Sequence, residues 1–392
     1  MYKFPKKTKL LCFGLMLIGL ISLVYGFIQS NQDQYTDLEI REEVKKMYYE
    51  YKSQKKSKSD KNLTSKKDYP HKESHGSHYE KHDYQYADLF SKIEKKFNCH
   101  LDYDQKKNAH GLDDIIYITQ HYFHVKKQRP WSSLFLSNLF FLMISLGALV
   151  WLAVQYISQS GWSVYLLRIP QAVSCFLPFG GAIMMFIIIT AALHWHHTFH
   201  WMDKALTYEY VNESSLDTTH PEYSHSMEDG MINNPKFDKI ITGKTAYLNI
   251  PFYLFRSILY LLGWCLAAFL LRRYSLKEDL EGGTKWHNRA FTLSAIFIVF
   301  AAVTTSTGAW DWIMSIDTHW FSTLFGWFVF SSMGVTGFTM IAMIAIFLKR
   351  KGLLNEVNEN HIHDLGKWIF SFSVLWTYMW FSQFMLIWYS NI

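Results

Sequence analysis

Apolar residues fall in long blocks along this chain, separated by short charged turns and two long polar stretches. A helix needs roughly 20 predominantly apolar residues to cross the hydrocarbon core of a membrane. Seven blocks meet that length: Leu10–Ile28, Leu134–Ile157, Ala172–Leu193, Pro251–Leu271, Ala290–Ala309, Phe321–Leu348 and Trp368–Tyr389. Lipid offers no hydrogen-bond partner to an open strand edge, so each block is predicted to be helical. The fold class is therefore all-α, a polytopic transmembrane helix bundle. Three regions follow: an N-terminal anchor over 1–28, a polar insert over 29–130, and a membrane bundle over 131–392 that carries a long loop at 195–250.

The first half of the insert is rich in Lys, Glu and Tyr and almost free of aliphatic residues, so it is expected not to bury a core and to be partly disordered. Residues Tyr84 to Val125 are better mixed and read as a small folded cap. His71, His75, His78 and His82 fall near helical spacing. They could form a metal stripe, but a solvated polar run is the preferred reading. Asn249-Ile-Pro251 reads as a helix start, because the N–H that Pro lacks is unbonded there in any case. The loop at 195–250 shows no folded-domain pattern.

The 392 residues are 49% hydrophobic and 18% charged, and the mean hydropathy near zero hides the blocks. The 15 Trp and 24 Tyr suit the two interfaces of a bilayer. The net charge of +6 is carried mostly at span ends and through the insert, which argues against a nucleic-acid partner. Lys3, Lys6, Lys7 and Lys9, then Arg272 to Arg289, then Lys349 to Lys367 all fall on one side if every block spans. By the positive-inside rule that side, and the N-terminus, is cytoplasmic, and the insert lies outside. The first block also fits a signal peptide, but Tyr25–Phe27 shows no small-residue cleavage site, so a retained anchor is expected. The four cysteines form no motif for a disulfide, zinc, an iron–sulfur cluster or covalent haem. No metal and no covalent cofactor is expected.

Ionisable groups at membrane depth are expensive, and so informative. Three places hold them. The segment from His194 to Asp203 follows the third block. If the helix continues, His194, His197 and Trp201 share one face, and His196 and His200 another. Interfacial packing, a quinone headgroup and a metal all remain open there. In the second place, Trp310 to Trp320, the residues Asp311, Asp317 and His319 lie among tryptophans. A carboxylate beside an imidazole can pass protons near neutral pH, and Trp310 can donate to a carbonyl, whereas Asp317 or Thr318 can simply cap the next helix. The third is His361-Ile-His363-Asp364-Leu-Gly-Lys367, either a proton entry point or a helix start capped by Asp364. Hydroxyl residues such as Thr304, Thr305, Ser331, Thr336, Ser373 and Thr377 lie between the last two places, where they can glue helices or hold a water chain.

Four motifs together carry a resemblance: Tyr247-Leu-Asn-Ile-Pro-Phe252, Trp310-Asp-Trp-Ile-Met-Ser315 with Asp317 and His319-Trp320, His361 to Lys367, and Trp380 to Tyr389. The stretch from Pro251 to Ile392 resembles the second NrfD-like membrane subunit of bacterial alternative complex III, a quinol:cytochrome c oxidoreductase. The resemblance implies about ten spans built around four-helix bundles, of which seven are visible, with further helices beyond Ile392. It implies partners: a multihaem cytochrome c, an iron–sulfur protein, a sister NrfD-like subunit, lipid and the quinone pool. It implies an accessory role with no redox centre of its own and, as ligand, a quinone or quinol. A stand-alone transporter is the rival reading. The proton-path candidates are Asp311, His319, His361, His363, Asp364 and Lys367; the headgroup candidates are His194, His197, Trp201 and Trp310.

Overall fold

A computed structural model of the chain describes residues 6–32, 35–63, 86–213, 222–228, 230–234 and 236–390. The histidines from His71 to His82 lie outside the described residues. The chain divides into two compact units, Met1–Pro130 and Trp131–Ile392.

The first unit contains α1 (Lys6–Gln32), α2 (Asp37–Leu63), α3 (Ala87–Phe97), α4 (Tyr103–Lys107) and the start of α5 (Leu112–Ser158). Its core joins Leu89, Phe90 and Ile93 of α3 to Ile115, Ile116 and Ile118 of α5. Each such side chain removed from water contributes about 1.5–3 kcal/mol. The polar first half of the insert was expected to bury nothing, yet α2 supplies Ile40 and Val44 to this core. The two are four residues apart, so they form one apolar stripe on an otherwise charged helix. Glu94 ties the loop after α3: its Oε1 accepts from the Leu101 N–H at 2.8 Å and from the buried Lys106 ammonium at 2.9 Å.

The second unit continues α5 from Trp131. There follow α6 (Arg168–Val173), a short 3₁₀ turn, α7 (Leu177–Ala192), α8 (Lys239–Gly243), α9 (Ile250–Glu281), α10 (Lys285–Trp312), α11 (Phe325–Arg350) and α12 (Glu359–Ser390). Among the described residues six helices are long and apolar enough to cross a membrane: α5, α6 with α7, and α9 to α12. The first block of the sequence lies in α1, whose apolar stretch Met16–Ser30 is shorter. The loop read as patternless folds locally. Strands β1 (Tyr210–Asn212), β2 (Tyr223–Ser224) and β3 (Met231–Asn233) form an antiparallel sheet in the order β2-β1-β3. Strands this short give the alternating pattern no length over which to show.

α5 sits between two clusters. Leu142, Leu146 and Leu149 pack on Met184 and Ile187 of α7 and on Leu261 and Trp264 of α9. Ala148 and Trp151 pack instead on Phe338, Ile341 and Ala345 of α11. Among lipid-facing helices, apolar burial gives little drive, because lipid tails are as apolar as Leu; close packing and polar contacts decide the arrangement.

Candidate functional site

The pairing of α9 with α10 is polar at its centre. Tyr253, Arg256, Ser257, Tyr260 and Trp264 recur at three- and four-residue steps and form one face of α9. Thr304, Asp311 and Trp312 face them from α10. The Arg256 guanidinium grips Asp311 with two parallel bonds, Nη2 to Oδ1 at 2.9 Å and Nε to Oδ2 at 2.9 Å. Arg256 is 6% exposed and Asp311 0%. Tyr260 donates to Asp311 Oδ2 at 3.1 Å, and Tyr253 donates to the Asp311 carbonyl at 3.1 Å, as does Ser315. The remaining side of Arg256 donates to the Tyr247 carbonyl at 3.0 Å, while the rings of Tyr247 and Phe252 lie 3.9 and 4.2 Å from its guanidinium carbon. Trp312 donates to Ser257 and Trp264 to Thr304, so the seam is hydrogen-bonded along its length.

Asp311 belongs to the last turn of α10, not to a free turn between helices, and three donors occupy its carboxylate. The sequence reading missed Arg256, although a cation inside the block Pro251–Leu271 was the available signal. Asp317 and Thr318 do not cap the following helix. That helix starts at Phe325, and Asp317 accepts the His319 N–H at 3.2 Å. His319 is instead bonded to Asp238 Oδ2 at 2.6 Å. Asp238 caps α8 through the N–H groups of Ile240 and Ile241. Burial works to raise its carboxyl, but those two N–H groups and His319 outweigh it and hold the carboxyl below the usual carboxylate range.

At the other end of α11 and α12, His361 exchanges hydrogen bonds with Asn358, which closes the start of α12. The helix begins at Glu359, so Asp364 lies inside it rather than at its cap, paired with Lys367 at 3.1 Å on the surface. His363 is exposed. The hydroxyls of Thr304, Thr305, Ser306 and Thr307 on α10, of Thr336 on α11 and of Ser373 and Thr377 on α12 donate to carbonyls of their own helices.

The headgroup candidates are not brought together as expected. α7 ends at Ala192, and His194 adopts φ 59°, so the helix does not continue and the shared face of His194, His197 and Trp201 does not form. His194 and His197 are exposed, while Trp201 is buried edge-on against Tyr253 at 5.2 Å. The buried histidine is His196, stacked on Trp131 at 4.4 Å. The Thr190 hydroxyl already donates to its own helix, so His196 Nε2 must be the donor toward Thr190 and the Ile187 carbonyl. His196 Nδ1 then accepts from the Thr198 hydroxyl at 2.8 Å. Only a neutral ring fits both ends, and burial pushes its pKa down. A histidine with a depressed folded pKa adds stability above its unfolded value near 6.5, and that stability is lost as pH falls through the folded value. The wild-type melting temperature should thus drop more between about pH 7.5 and about pH 5.5 than that of a His196→Gln variant. Equal drops would mean that His196 protonates freely.

Trp310 lines a cavity of about 350 Å³ together with Lys244, Tyr247, Ser315, Thr318 and Phe321. Among the described residues the Trp310 indole N–H is buried without a partner. Lys244 donates to the Thr318 carbonyl and sits over the Phe321 ring. Burial, then the Asp311 charge, pushes the Tyr247 phenol well above its usual value, so it stays a neutral wall. Among the described residues no three His, Cys, Asp or Glu side chains gather into a metal-sized group. No known protein family matches the chain, and no curated protein is similar to it.

Proposed function

We propose that this chain is an accessory membrane subunit of a quinol-oxidising respiratory assembly of the alternative complex III type. It braces the assembly and offers one cavity to a quinone headgroup. The observation that carries this reading is the mainly aromatic and apolar cavity beside the Arg256–Asp311 pair, lined by Trp310, whose buried indole N–H has no partner among the described residues. A quinone carbonyl is the acceptor that such a donor lacks, and the surrounding rings suit its apolar body. The doubly held Asp311 serves as a brace, so the proton-path role falls behind the scaffold role. The seven spans and the haem and iron–sulfur partners belong to the same proposal.

An azidoquinone should photolabel the peptide holding Trp310 to Phe321 in native membranes, and Trp310→Phe should cut labelling by about tenfold, the worth of one hydrogen bond of about 1.5 kcal/mol. Labelling centred on His194 to Trp201 would move the site there. Multihaem and iron–sulfur proteins should co-purify with the chain. A lone homo-oligomer would favour the transporter reading, for which the interruption between α6 and α7 is the one supporting feature.

The orientation has its own test. Asp60→Cys should react with a membrane-impermeant thiol reagent in intact spheroplasts, and Leu280→Cys, exposed in the structure, should react only after lysis. Cys99 gives little background, because burial, then Glu94, pushes its thiol up to about 11. The reverse pattern overturns the assignment.

A further inference from the structure

The far end of the α9–α10 pair carries a second site. The chain reverses at Gly282 and Gly283, with φ of 68° and 73°, left-handed values that glycine adopts without strain. This turn brings three cations onto one indole. Lys277 Nζ lies 4.1 Å from the Trp286 ring, the Arg289 guanidinium carbon 4.5 Å and Lys285 Nζ 5.4 Å. Trp286 is fixed: its N–H donates to Glu281 at 2.6 Å, and Tyr274 packs on it at 5.7 Å. The nearby acids are engaged, Glu278 by His287 at 3.4 Å, Asp279 by Arg168 and Glu281 by Trp286. Among the described residues no carboxylate lies within ion-pair distance of Lys277, Lys285 or Arg289. Three cations around one indole with no carboxylate counter-ion among the described residues favour an anion from outside the chain.

The start of α10 adds donors. Thr284 at its N-cap gives no side-chain hydrogen bond, so first-turn N–H groups stay open at the positive end of the helix dipole. From this point a groove of about 420 Å³ runs along Tyr274, Asn288, Arg289, Thr292, Leu293 and Ile296, polar at the cations and apolar beyond. Arg289, Thr292, Ile296, Val299 and Val303 recur at three- and four-residue steps, and all five are exposed. They make one stripe of about 21 Å at 1.5 Å per residue. The order along it is cation, hydroxyl, then bare hydrocarbon.

We propose that this turn binds an anionic phospholipid, its phosphate among Lys277, Lys285, Arg289 and the start of α10, and one acyl chain along Ile296, Val299 and Val303. The polarity gradient selects a lipid over a free phosphate, and the three cations select an anionic headgroup over a zwitterionic one.

The test is native mass spectrometry of the full chain in detergent, titrated with phosphatidylglycerol or phosphatidylcholine. The wild type should bind phosphatidylglycerol at least tenfold more tightly. The triple variant Lys277→Gln, Lys285→Gln, Arg289→Gln should lose that preference. A charge-keeping variant, Lys277→Arg, Lys285→Arg, Arg289→Lys, should retain it, and Ile296→Asn with Val299→Asn should weaken binding of both lipids. Only folded protein is scored, so a misfolded variant does not pass for a loss of binding. Equal affinity for the two lipids, or a triple variant that still prefers phosphatidylglycerol, overturns the proposal. Displacement of the lipid by millimolar inorganic phosphate would show a phosphate site and would overturn the lipid assignment.

Discussion

Asp311→Asn should lower the stability of the detergent-solubilised protein by about 3–5 kcal/mol, the usual cost of stranding one member of a buried ion pair. Asparagine keeps the shape but offers one carbonyl oxygen where Arg256 Nε, Arg256 Nη2 and Tyr260 now find two carboxylate oxygens. Its amide also turns a donor toward the guanidinium. Arg256→Met should cost a similar amount, since it leaves the carboxylate without its cation. The double variant Arg256→Met, Asp311→Asn should be far milder than the sum of the two, because no unpaired charge remains. Melting curves of the four proteins, read by size-exclusion recovery, close the cycle. Additive losses, or an Asp311→Asn protein that melts like the wild type, would show that the pair does not brace α9 against α10. Arg256→Lys belongs in the same series. An ammonium cannot make the parallel fork, so it should recover only part of the loss.

Six of the seven apolar blocks correspond to helices long and apolar enough to cross a membrane, because a span is written as an unbroken run of side chains. The start of α9 was legible for a local reason: Asn249 accepts the Phe252 N–H at 3.0 Å just ahead of Pro251. Arg256 was not, because one cation barely moves the hydropathy of a whole block and its partner lies 55 residues away in sequence. The turn after α7 was not legible for a related reason: the block Ala172–Leu193 ends beside Ala192, but the shared face of His194, His197 and Trp201 required the helix to continue. Trp, His and Thr tolerate a helix well enough that nothing local stops it at Ala192; the stop depends on His196 folding back between Thr190 and Thr198. Thus Trp310 and Asp311 were visible as candidates, while Arg256, Lys244 and Asp238, which give those candidates their surroundings, depend on tertiary contacts.

The same reliance on close approach sets the last expectation. Gly147 of α5 and Gly337 of α11 meet backbone to backbone: a Cβ added to Gly147 would lie 2.5 Å from the Met333 carbonyl oxygen, and one added to Gly337 would lie 3.1 Å from the Gly147 carbonyl carbon. Small residues at such crossings let two membrane helices touch. Two effects oppose each other in Gly147→Ala. The helix gains about 1 kcal/mol of propensity. Against this, the obstacle is backbone rather than a flexible side chain, so α5 and α11 must part, at a cost of about 1–3 kcal/mol and the loss of the edge-on Trp151–Phe338 contact beside it. The clash should win narrowly for alanine and clearly for Gly147→Val, whose branched side chain is larger and gains less propensity. At Gly366 of α12 a new Cβ meets nothing within 4 Å, so the propensity term stands alone. Gly366→Ala should raise the melting temperature, Gly147→Ala should lower it, and Gly147→Val should lower it further. If all three shift the same way, α5 and α11 do not touch at Gly147, and the packing of Trp151 on α11 needs another explanation.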